Sequence, residues 1–407
     1  MARSDRPIDV LLWGATGFTG RLLADYIART HADLRVALGG RSAGKLEALK
    51  AELAKVEPRC SSWAVRVGDA HDVAALDRIV PEAKAIASTA GPFLSYGREL
   101  VAACARHGTD YCDITGEVPF VREVIDLHDA RARETGARMV SFCGMDSIPS
   151  DLGVYALQKA ATERGGEPCA FATFVMVRAT GGISGGTVAS MLVLMEQAAA
   201  DPRVREMLDD PYALAPRGGV GAHDAEGAVY DAELGKWTAP FLMGIVNSRV
   251  VHRSNALLGF PYGRAFRYEE RVAMGSGARG WLRARAMSGG FAVAPGALAL
   301  KPVRSLAKRF APAPGEGPSK EKRERGGFTI RITGRDGAGQ VRATCTITGE
   351  RDPGYGETAK MLGESVVCLA SGEGSPDGGA LTPATAMGDP LLARLRARKM
   401  SFDVELA

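Results

Sequence analysis

Seven residues near the start of the chain have the types and the spacing of a nucleotide-binding loop. They are Gly14-Ala15-Thr16-Gly17-Phe18-Thr19-Gly20, and they follow an apolar run from Ile8 to Trp13. A strand, a glycine-rich turn and a helix in this order place backbone N–H groups and the positive end of a helix dipole where a pyrophosphate can lie. The three glycines allow a tight turn, a close approach to the phosphates and close packing of the helix on the strand. The pattern therefore predicts dinucleotide binding.

The end of the second predicted strand indicates which dinucleotide binds. This strand, Leu34–Leu38, runs into Gly39 and Gly40, and Arg41, Ser42 and Lys45 follow. A site specific for NAD usually has Asp or Glu at this point, which accepts hydrogen bonds from the ribose hydroxyls. Here a guanidinium, a hydroxyl and an ammonium stand instead, and these groups suit a phosphate dianion. We therefore predict NADP(H) as the cofactor, with the 2′-phosphate bound by these three side chains.

Residues after two further strands complete the predicted cofactor site. Asp69 follows the third predicted strand and is placed to accept a hydrogen bond from the adenine amino group, or else to cap a helix. Thr89, Ala90, Gly91 and Pro92 follow the fourth predicted strand, where small residues would let the nicotinamide half of the cofactor lie against the backbone. The alternative for this run is turn chemistry alone. Ligands of parallel sheets bind beyond the carboxyl ends of the strands, which favours the cofactor site.

These candidates require a parallel sheet, and the first 150 residues have its pattern. Strand-like and helix-like segments alternate there at the spacing of βαβ units. We predict an α/β fold, with a Rossmann-type doubly wound parallel sheet in residues 1–150. A second, α+β domain for substrate binding or dimerisation is expected in residues 151–354, and residues 355–407 are expected to pack back on the first domain. Within the second domain, Gly327–Arg335 and Gln340–Gly349 are predicted to pair as a hairpin.

Several runs of residues together resemble one protein family. The chain resembles the saccharopine dehydrogenase-like oxidoreductases and, within them, the bacterial trans-acting enoyl reductase branch. The resemblance covers nearly the whole chain. It implies NADPH-dependent reduction, in some members of a polyketide-type enoyl thioester that a separate synthase presents. The runs that carry it are Gly14–Gly20, Ala90–Phe93, Tyr111-Cys112-Asp113-Ile114-Thr115-Gly116-Glu117, Cys143–Asp151, Gly185-Gly186-Thr187, Gly354-Tyr355-Gly356-Glu357-Thr358 and Leu381–Asp389.

Reduction of an enoyl thioester sets requirements for the catalytic groups. The β-carbon receives a hydride, the developing enolate oxygen needs hydrogen-bond donors, and the α-carbon needs an acid. Tyr111 and Asp146, both near predicted strand ends, are our candidate catalytic residues. Each has a structural alternative, since a tyrosine at a strand end is often core and an aspartate before a helix often caps it. The N–H groups of Gly185–Thr187, at a predicted helix start, would suit an oxyanion or a phosphate.

A rival pattern lies on the next predicted helix. Tyr155 and Lys159 have the Tyr-x-x-x-Lys spacing with which short-chain dehydrogenases combine a tyrosine acid and a lysine. The position at which those enzymes carry a serine is Phe142 in this chain. We therefore expect Tyr155 to be a core or surface residue.

Composition excludes several other classes of protein. The 407 residues are 46% hydrophobic and 24% charged, which is typical of a globular protein, and the net charge of +4 gives no reason to expect nucleic-acid binding. The seven cysteines are scattered without a CxxC pair, so reduced thiols are expected, and the histidines have no metal-ligand spacing. The first strand begins too close to Met1 for a signal peptide. We expect a cytoplasmic protein that binds no metal.

A long segment of the chain is basic and lacks acidic residues. From Arg271 to Arg309 there are eight Lys or Arg residues and no Asp or Glu, around an uncharged run, Ala286–Leu300. That run is too short and too broken by glycine and proline to span a membrane. An ordinary basic surface, an anionic membrane surface and a surface for an acidic acyl carrier protein or polyketide synthase remain open. The basic residues are Arg271, Arg279, Arg283, Arg285, Lys301, Arg304, Lys308 and Arg309.

Two hypotheses for the function follow. The first is an NADPH-dependent oxidoreductase that reduces the C=C bond of a small hydrophobic or carrier-bound enoyl substrate. This hypothesis allows the enzyme to be a homodimer. The second is a non-catalytic NADP-binding protein that acts at a membrane surface or as the partner of another enzyme. The polar strand ends and the large second domain favour the first hypothesis.

Overall fold

The computed structural model describes residues 3–180, 197–198, 200–299, 321 and 324–407. The described residues form two compact units. Those up to Ile148 and Gly354–Arg398 form the first unit, and those from Pro149 to Pro353 together with Lys399–Ala407 form the second.

Strands and helices alternate over most of the described chain. In chain order the strands are β1 (Ile8–Trp13), β2 (Val36–Gly40), β3 (Ala64–Val67), β4 (Ala83–Ser88), β5 (Asp110–Asp113), β6 (Arg138–Val140), β7 (Phe171–Thr180), β8 (Val229–Asp231), β9 (Lys236–Pro240), β10 (Arg267–Gly275), β11 (Gly327–Arg335), β12 (Val341–Gly349), β13 (Gly379–Leu381) and β14 (Ser401–Leu406). The α-helices are Phe18–Thr30, Ala43–Val56, Val73–Ile79, Phe93–Tyr96, Arg98–His107, Val118–Thr135, Ile148–Gly165, Pro202–Asp209, Gly244–Leu257, Gly277–Ala299, Thr358–Ala370, Pro383–Ala386 and Gly388–Ala397.

The first unit is built on a parallel sheet. Its strand order is β13-β6-β5-β4-β1-β2-β3, and the paired strands run parallel throughout. Strands β1, β2 and β4 are almost entirely buried, as expected of apolar strands covered on both faces. Because the strand order reverses between β1 and β4, a ligand crevice is expected at the carboxyl ends of these two strands. The predicted Rossmann-type sheet is confirmed.

Several elements of the first unit were not predicted, among them the helix Val118–Thr135, strand β13 and the helix Gly388–Ala397. The helix Val118–Thr135 buries only a narrow set of side chains, and its middle is charged, so its amphipathic pattern is weak. Strand β13 has three residues and pairs with β6, from which it is separated by more than 200 residues of chain. Its partner lies so far away in sequence that no local pattern indicates the pairing.

The second unit is built on a mixed sheet with the order β14-β12-β11-β7-β10-β9-β8. Strands β7 and β10 are parallel, and the other neighbours are antiparallel. The predicted hairpin is present, formed by β11 and β12. The helix Ile148–Gly165 covers this hairpin, where a side chain on Gly153 would meet Ile332 and Ile347 at 2.6 Å.

The C-terminal segment differs from its prediction. Gly354–Arg398 belongs to the first unit, but the last strand, β14, pairs with β12 in the sheet of the second unit. Only one of its six residues, Phe402, is buried. Such exposure suits the edge of an antiparallel sheet, whereas a strand of the parallel sheet would be covered on both faces.

The described part of the basic segment consists of the end of β10 and the helix Gly277–Ala299. Arg271 does not belong to the basic surface, because it is buried on β10, paired with Glu269 at 2.8 Å, and donates to the carbonyl of Gly227. Lys301, Arg304, Lys308 and Arg309 lie outside the described residues, as does most of the predicted glycine-rich turn and helix from Thr180 to Ala198. In the part of the chain that is described, we find no helix with the length and hydropathy that a membrane crossing needs.

Candidate functional site

The glycine loop after β1 forms a cradle that larger residues could not make. Gly14 has φ +80°, and a Cβ atom there would lie 3.0 Å from the backbone nitrogen of Ala90. A Cβ atom on Gly20 would lie 2.3 Å from the carbonyl oxygen of Gly14. Gly17 is exposed with φ −70° and precedes the helix Phe18–Thr30, whose first turn has neither an acidic residue nor a capping side chain. A helix start of this kind fits a pyrophosphate.

The residues predicted to bind the 2′-phosphate and the adenine follow β2 and β3. Arg41 and Lys45 are exposed, and Ser42 caps the helix Ala43–Val56 by accepting from the Lys45 backbone N–H at 3.4 Å. Among the described residues, Arg41 has no carboxylate partner, so its guanidinium is available to an anion. Asp69 is exposed, and its carboxylate accepts from the backbone of His71 at 2.9 Å. The cap of the helix Val73–Ile79 is Asp72, so Asp69 is not needed for capping.

The loop after β4, Thr89–Pro92, lies directly beside the glycine loop. The Thr89 backbone N–H donates to the carbonyl of Trp13 at 3.0 Å, and its hydroxyl donates to the carbonyl of Gly14 at 3.2 Å. Ala90 N donates to the Ser88 hydroxyl at 3.4 Å. The structure therefore brings together two groups of residues that were predicted separately as cofactor-binding.

Tyr111 and Asp113 lie on one face of β5 and are buried. The Asp113 carboxylate accepts from the backbone of Thr115 at 3.0 Å and from the Ser141 hydroxyl at 3.2 Å. Burial raises the pKa of Asp113 to about 7, although these hydrogen bonds act to lower it. The Tyr111 hydroxyl makes no hydrogen bond of normal geometry, and burial together with the Asp113 charge raises its pKa well above the ordinary value. Tyr111 is thus closed off from solvent in this structure.

Asp146, the second candidate catalytic residue, lies in a turn after β6. The turn closes with hydrogen bonds from Ser147 and Ile148 to the carbonyl of Gly144, and Asp146 itself is half-buried. Just before this turn, Phe142 has φ +67°, a conformation that is strained for a bulky residue. Strained backbone at the carboxyl edge of the sheet is a common property of functional sites. Asp146 is the more accessible of the two candidates.

Sequence reasoning did not assign roles to residues of the run Gly354–Thr358, which the structure places at this edge. The ring of Tyr355 packs edge-on against Phe18 of the glycine loop, with 4.7 Å between ring centroids. Met145 N donates to the Thr358 hydroxyl at 3.3 Å. Glu357 and Lys360 form a buried ion pair at 2.8 Å. The only signal in the sequence was the family resemblance of this run.

Two other sequence candidates are not among the described residues of the first unit. Tyr155 and Lys159 lie on the helix Ile148–Gly165, beyond Ile148 and thus in the second unit, and Lys159 pairs with Glu163 at 3.8 Å. Gly185–Thr187 lies outside the described residues. Among the described residues, no group of three or more His, Cys, Asp or Glu side chains could hold a metal ion.

Comparisons with known proteins identify the class of the first domain. Residues 10–140 match the family described as saccharopine dehydrogenase NADP binding domain. A saccharopine dehydrogenase (L-Glu forming) from Saccharomyces cerevisiae has a similar fold, with a TM-score of 0.54 at 14% identity over 98% of this chain and 99% of that one. Residues 10–140 thus form an NADP-binding domain of the saccharopine dehydrogenase class, and the chain as a whole has a similar fold.

Curated relatives narrow the class further. A putative trans-acting enoyl reductase of Mycobacterium tuberculosis is 41% identical over 99% of this chain and 98% of its own length. Trans-acting enoyl reductases of Mycobacterium bovis and Mycobacterium ulcerans are 38% and 39% identical, over 97% of this chain and 97% of their own lengths. The chain belongs to the trans-acting enoyl reductase family. The predicted family, fold class and cofactor are confirmed, and a non-catalytic role is not favoured.

Proposed function

We propose that this protein uses NADPH to reduce the C=C bond of a hydrophobic enoyl thioester of the polyketide or fatty-acyl kind. The observation that carries the proposal is the glycine cradle at the β1–β4 switch point, in a chain that matches trans-acting enoyl reductases along its length. NADPH supplies the hydride for the β-carbon. The protein must orient the thioester, stabilise its developing oxyanion and provide the proton for the α-carbon.

Each part of the cofactor has proposed binding residues. The backbone of Gly14–Gly20 would hold the pyrophosphate, and Arg41, Ser42 and Lys45 the 2′-phosphate. Asp69 would accept from the adenine amino group. The loop Thr89–Pro92 would support the nicotinamide end, because it contacts the glycine loop and its residues are small.

We choose the proposed proton donor from the two catalytic candidates, Asp146 and Tyr111. Asp146 is supported by its partial exposure and by the strained backbone beside it at Phe142. Tyr111 is supported by its place on the same face of β5 as Asp113, but its burial requires a movement before a substrate could reach it. We therefore propose Asp146 as the group nearer to the substrate and Tyr111 as its alternative.

We further propose that residues 1–150 are the cofactor domain and that the second unit binds the acyl chain or forms a homodimer. The second unit also offers a surface for a partner, the first half of the helix Gly277–Ala299. Arg279, Arg283 and Arg285 are exposed there and have no acidic partner among the described residues, and Trp281 and Leu282 are 44% and 62% exposed. Basic residues around exposed apolar side chains suit an acidic acyl carrier protein that presents the substrate.

The test of the function is NADPH oxidation, followed by its absorbance, with a panel of enoyl thioesters of increasing chain length. We expect turnover with at least one hydrophobic enoyl thioester and no turnover with the saturated product. Gly17→Val, which is expected to lose NADPH binding, is the control. Absence of turnover with every thioester, in a protein that binds NADPH, would contradict the proposed reaction.

The test of the partner surface compares the same enoyl group on an acyl carrier protein and on coenzyme A. Replacement of Arg279, Arg283 and Arg285 by Gln is expected to raise KM for the carrier-bound substrate about tenfold at low salt and to leave KM for the coenzyme A thioester unchanged. Arg98→Gln, which removes an exposed arginine paired with Glu123, is the matched control. If the triple variant instead loses binding to anionic vesicles while carrier kinetics stay unchanged, the surface binds a membrane and the carrier proposal is wrong.

A further inference from the structure

Asp113 and Glu117 belong to one chain of hydrogen bonds that ends at the loop after β4. Both carboxylates are buried, at 0% and 1% exposure, in the run Tyr111–Glu117. Asp113 is the last residue of β5. It accepts from the Thr115 backbone and the Ser141 hydroxyl, and its own carbonyl accepts from Cys143 N at 2.7 Å. Asp113 thereby joins the segment that follows β5 to the segment that follows β6.

Thr115 continues the chain of hydrogen bonds. Its backbone N–H donates to Asp113 and its hydroxyl accepts from the Glu117 backbone N–H at 3.0 Å. The turn between β5 and the helix Val118–Thr135 is thus built from side chains that bond to the backbone two residues along, as in Asx and ST turns. This turn sets the position of the Glu117 carboxylate.

The Glu117 carboxylate reaches across to the loop after β4. One oxygen accepts from Phe93 N at 2.9 Å and the other from Leu94 N at 3.0 Å. These two N–H groups directly follow Pro92. At the other end of the same loop, Ala90 N donates to the hydroxyl of Ser88, which pairs in register with Asp113 across the sheet.

We propose that Asp113 and Glu117 are positioning residues, which hold the loop Thr89–Leu94 in the conformation that receives the nicotinamide end of NADPH. The inference rests on the proposed function, because it assumes that this loop supports the nicotinamide. Nothing in the reaction requires these carboxylates to touch the substrate. Their role is to fix the backbone at the end of this loop, where Phe93 N and Leu94 N donate to Glu117.

Carboxylates suit this task for a physical reason. Hydrogen bonds from backbone N–H groups to an ionised carboxylate are stronger than those to a neutral acceptor. A single carboxylate can accept from two consecutive N–H groups, which fixes both the position and the direction of the chain at Phe93 and Leu94. Glutamine has one acceptor oxygen and an amide that donates, so it would leave one of the two N–H groups without a partner.

The first test measures the loop directly. In Glu117→Gln we expect amide hydrogen exchange of the peptide that contains Phe93 and Leu94 to become about 10- to 100-fold faster, as expected when a hydrogen bond to a charged group is lost. NADPH affinity, measured by calorimetry, should fall about tenfold or more. Glu123→Gln, in the helix that begins directly after Glu117 and in an exposed pair with Arg98, should change neither quantity.

The second test uses Thr115, which connects the two carboxylates. Thr115→Val keeps the shape and removes the hydroxyl that accepts from Glu117 N, so it should also speed exchange at Phe93 and weaken NADPH binding. Thr115→Ser keeps the hydroxyl and should restore both quantities to the original values. A merely structural effect of the altered side-chain volume would affect serine at least as much as valine.

The outcomes separate this proposal from the proposed function. If Glu117→Gln speeds exchange in the loop while NADPH binds with unchanged affinity, the positioning role is wrong and the cofactor site stands. If exchange is unchanged as well, the hydrogen bonds to Phe93 and Leu94 do not hold the loop and the proposal is also wrong. If the unmodified protein binds no NADPH, the proposed function itself fails.

Discussion

Two glycines of the loop after β1 should respond to substitution in opposite ways. Gly17 is exposed, has φ −70° that any residue can adopt, and would place a Cβ atom 3.3 Å from the carbonyl oxygen of Gly14. Gly20 is buried, and its Cβ atom would lie 2.3 Å from the same oxygen and 2.9 Å from Ala15 Cα. Gly17→Val should therefore remove NADPH binding and retain the fold, whereas Gly20→Ala should damage the fold.

The magnitudes follow from these contacts. In Gly20→Ala the helix must move away from the loop by about 0.7 Å or more, and overpacking of this kind costs about 1–3 kcal/mol. Alanine recovers up to about 1 kcal/mol through its higher helix propensity, so a net loss of about 1–2 kcal/mol is expected. Gly17→Val places a poor capping residue before the helix Phe18–Thr30, at a cost of about 1 kcal/mol or less.

The assay is denaturant unfolding of both variants with and without NADPH. At NADPH concentrations about 100 times the dissociation constant, the unmodified protein should gain about 2.7 kcal/mol of stability, and Gly17→Val should gain nothing. Gly20→Ala should be less stable without the cofactor. If Gly17→Val binds NADPH with normal affinity, the pyrophosphate does not lie at this loop and the assigned cofactor site is wrong.

Three further predictions concern single side chains of the first unit. Arg41→Ala should weaken NADPH binding by about 1.5–3 kcal/mol and leave NADH binding unchanged, as measured by calorimetry; equal affinity of the unmodified protein for both cofactors would contradict the assignment of the 2′-phosphate. Because the pKa of Asp113 is raised from 3.8 to about 7 in the folded protein, its contribution to stability is present at pH 4 and is lost as the pH rises to about 7. The decrease in the free energy of unfolding is at most about 4 kcal/mol, and Asp113→Asn, measured by urea unfolding across this pH range, should lack it. If the variant and the unmodified protein have parallel pH profiles, Asp113 does not cause the decrease. Glu364 is buried among Tyr26, His31 and two arginines, so Glu364→Ala should lower the free energy of unfolding, measured by thermal unfolding, by about 3–5 kcal/mol. The exposed Glu52→Ala should lower it by about 1 kcal/mol or less, and equal losses in the two variants would refute the role of burial.

The parallel sheet and the cofactor loops could be predicted from the sequence because their determinants are local. A short apolar strand, a glycine turn and a helix start are adjacent in the chain, so Ile8–Gly20 carries its own pattern. The carboxyl ends of parallel strands meet at one edge, so Arg41, Asp69 and Thr89–Pro92 could be assigned to that edge without knowledge of their distances.

The site itself could be predicted only in part. Tyr111 was a candidate because of its residue type and place in a motif, but its burial depends on neighbours from β4 and β6. The contact of Tyr355 with Phe18 joins residues more than 330 positions apart, which no periodicity indicates. The basic segment was judged by its formal charge, whereas Arg271 is neutralised by Glu269 on the same strand, just outside the segment.

Residue types and short-range spacing, by themselves, determined the class of this protein: a parallel sheet with an NADP(H) loop, and a hairpin in the second domain. Tertiary structure decided which chemical groups are ionised, accessible and fixed in place. It turned Asp113 into a buried carboxyl with a pKa of about 7, directed the Glu117 carboxylate to the backbone at Phe93 and Leu94, and separated the last strand from the helices that precede it. The physical reason is that glycine geometry and apolar patterning act over a few residues, whereas desolvation and hydrogen bonding depend on neighbours that folding brings from distant parts of the chain.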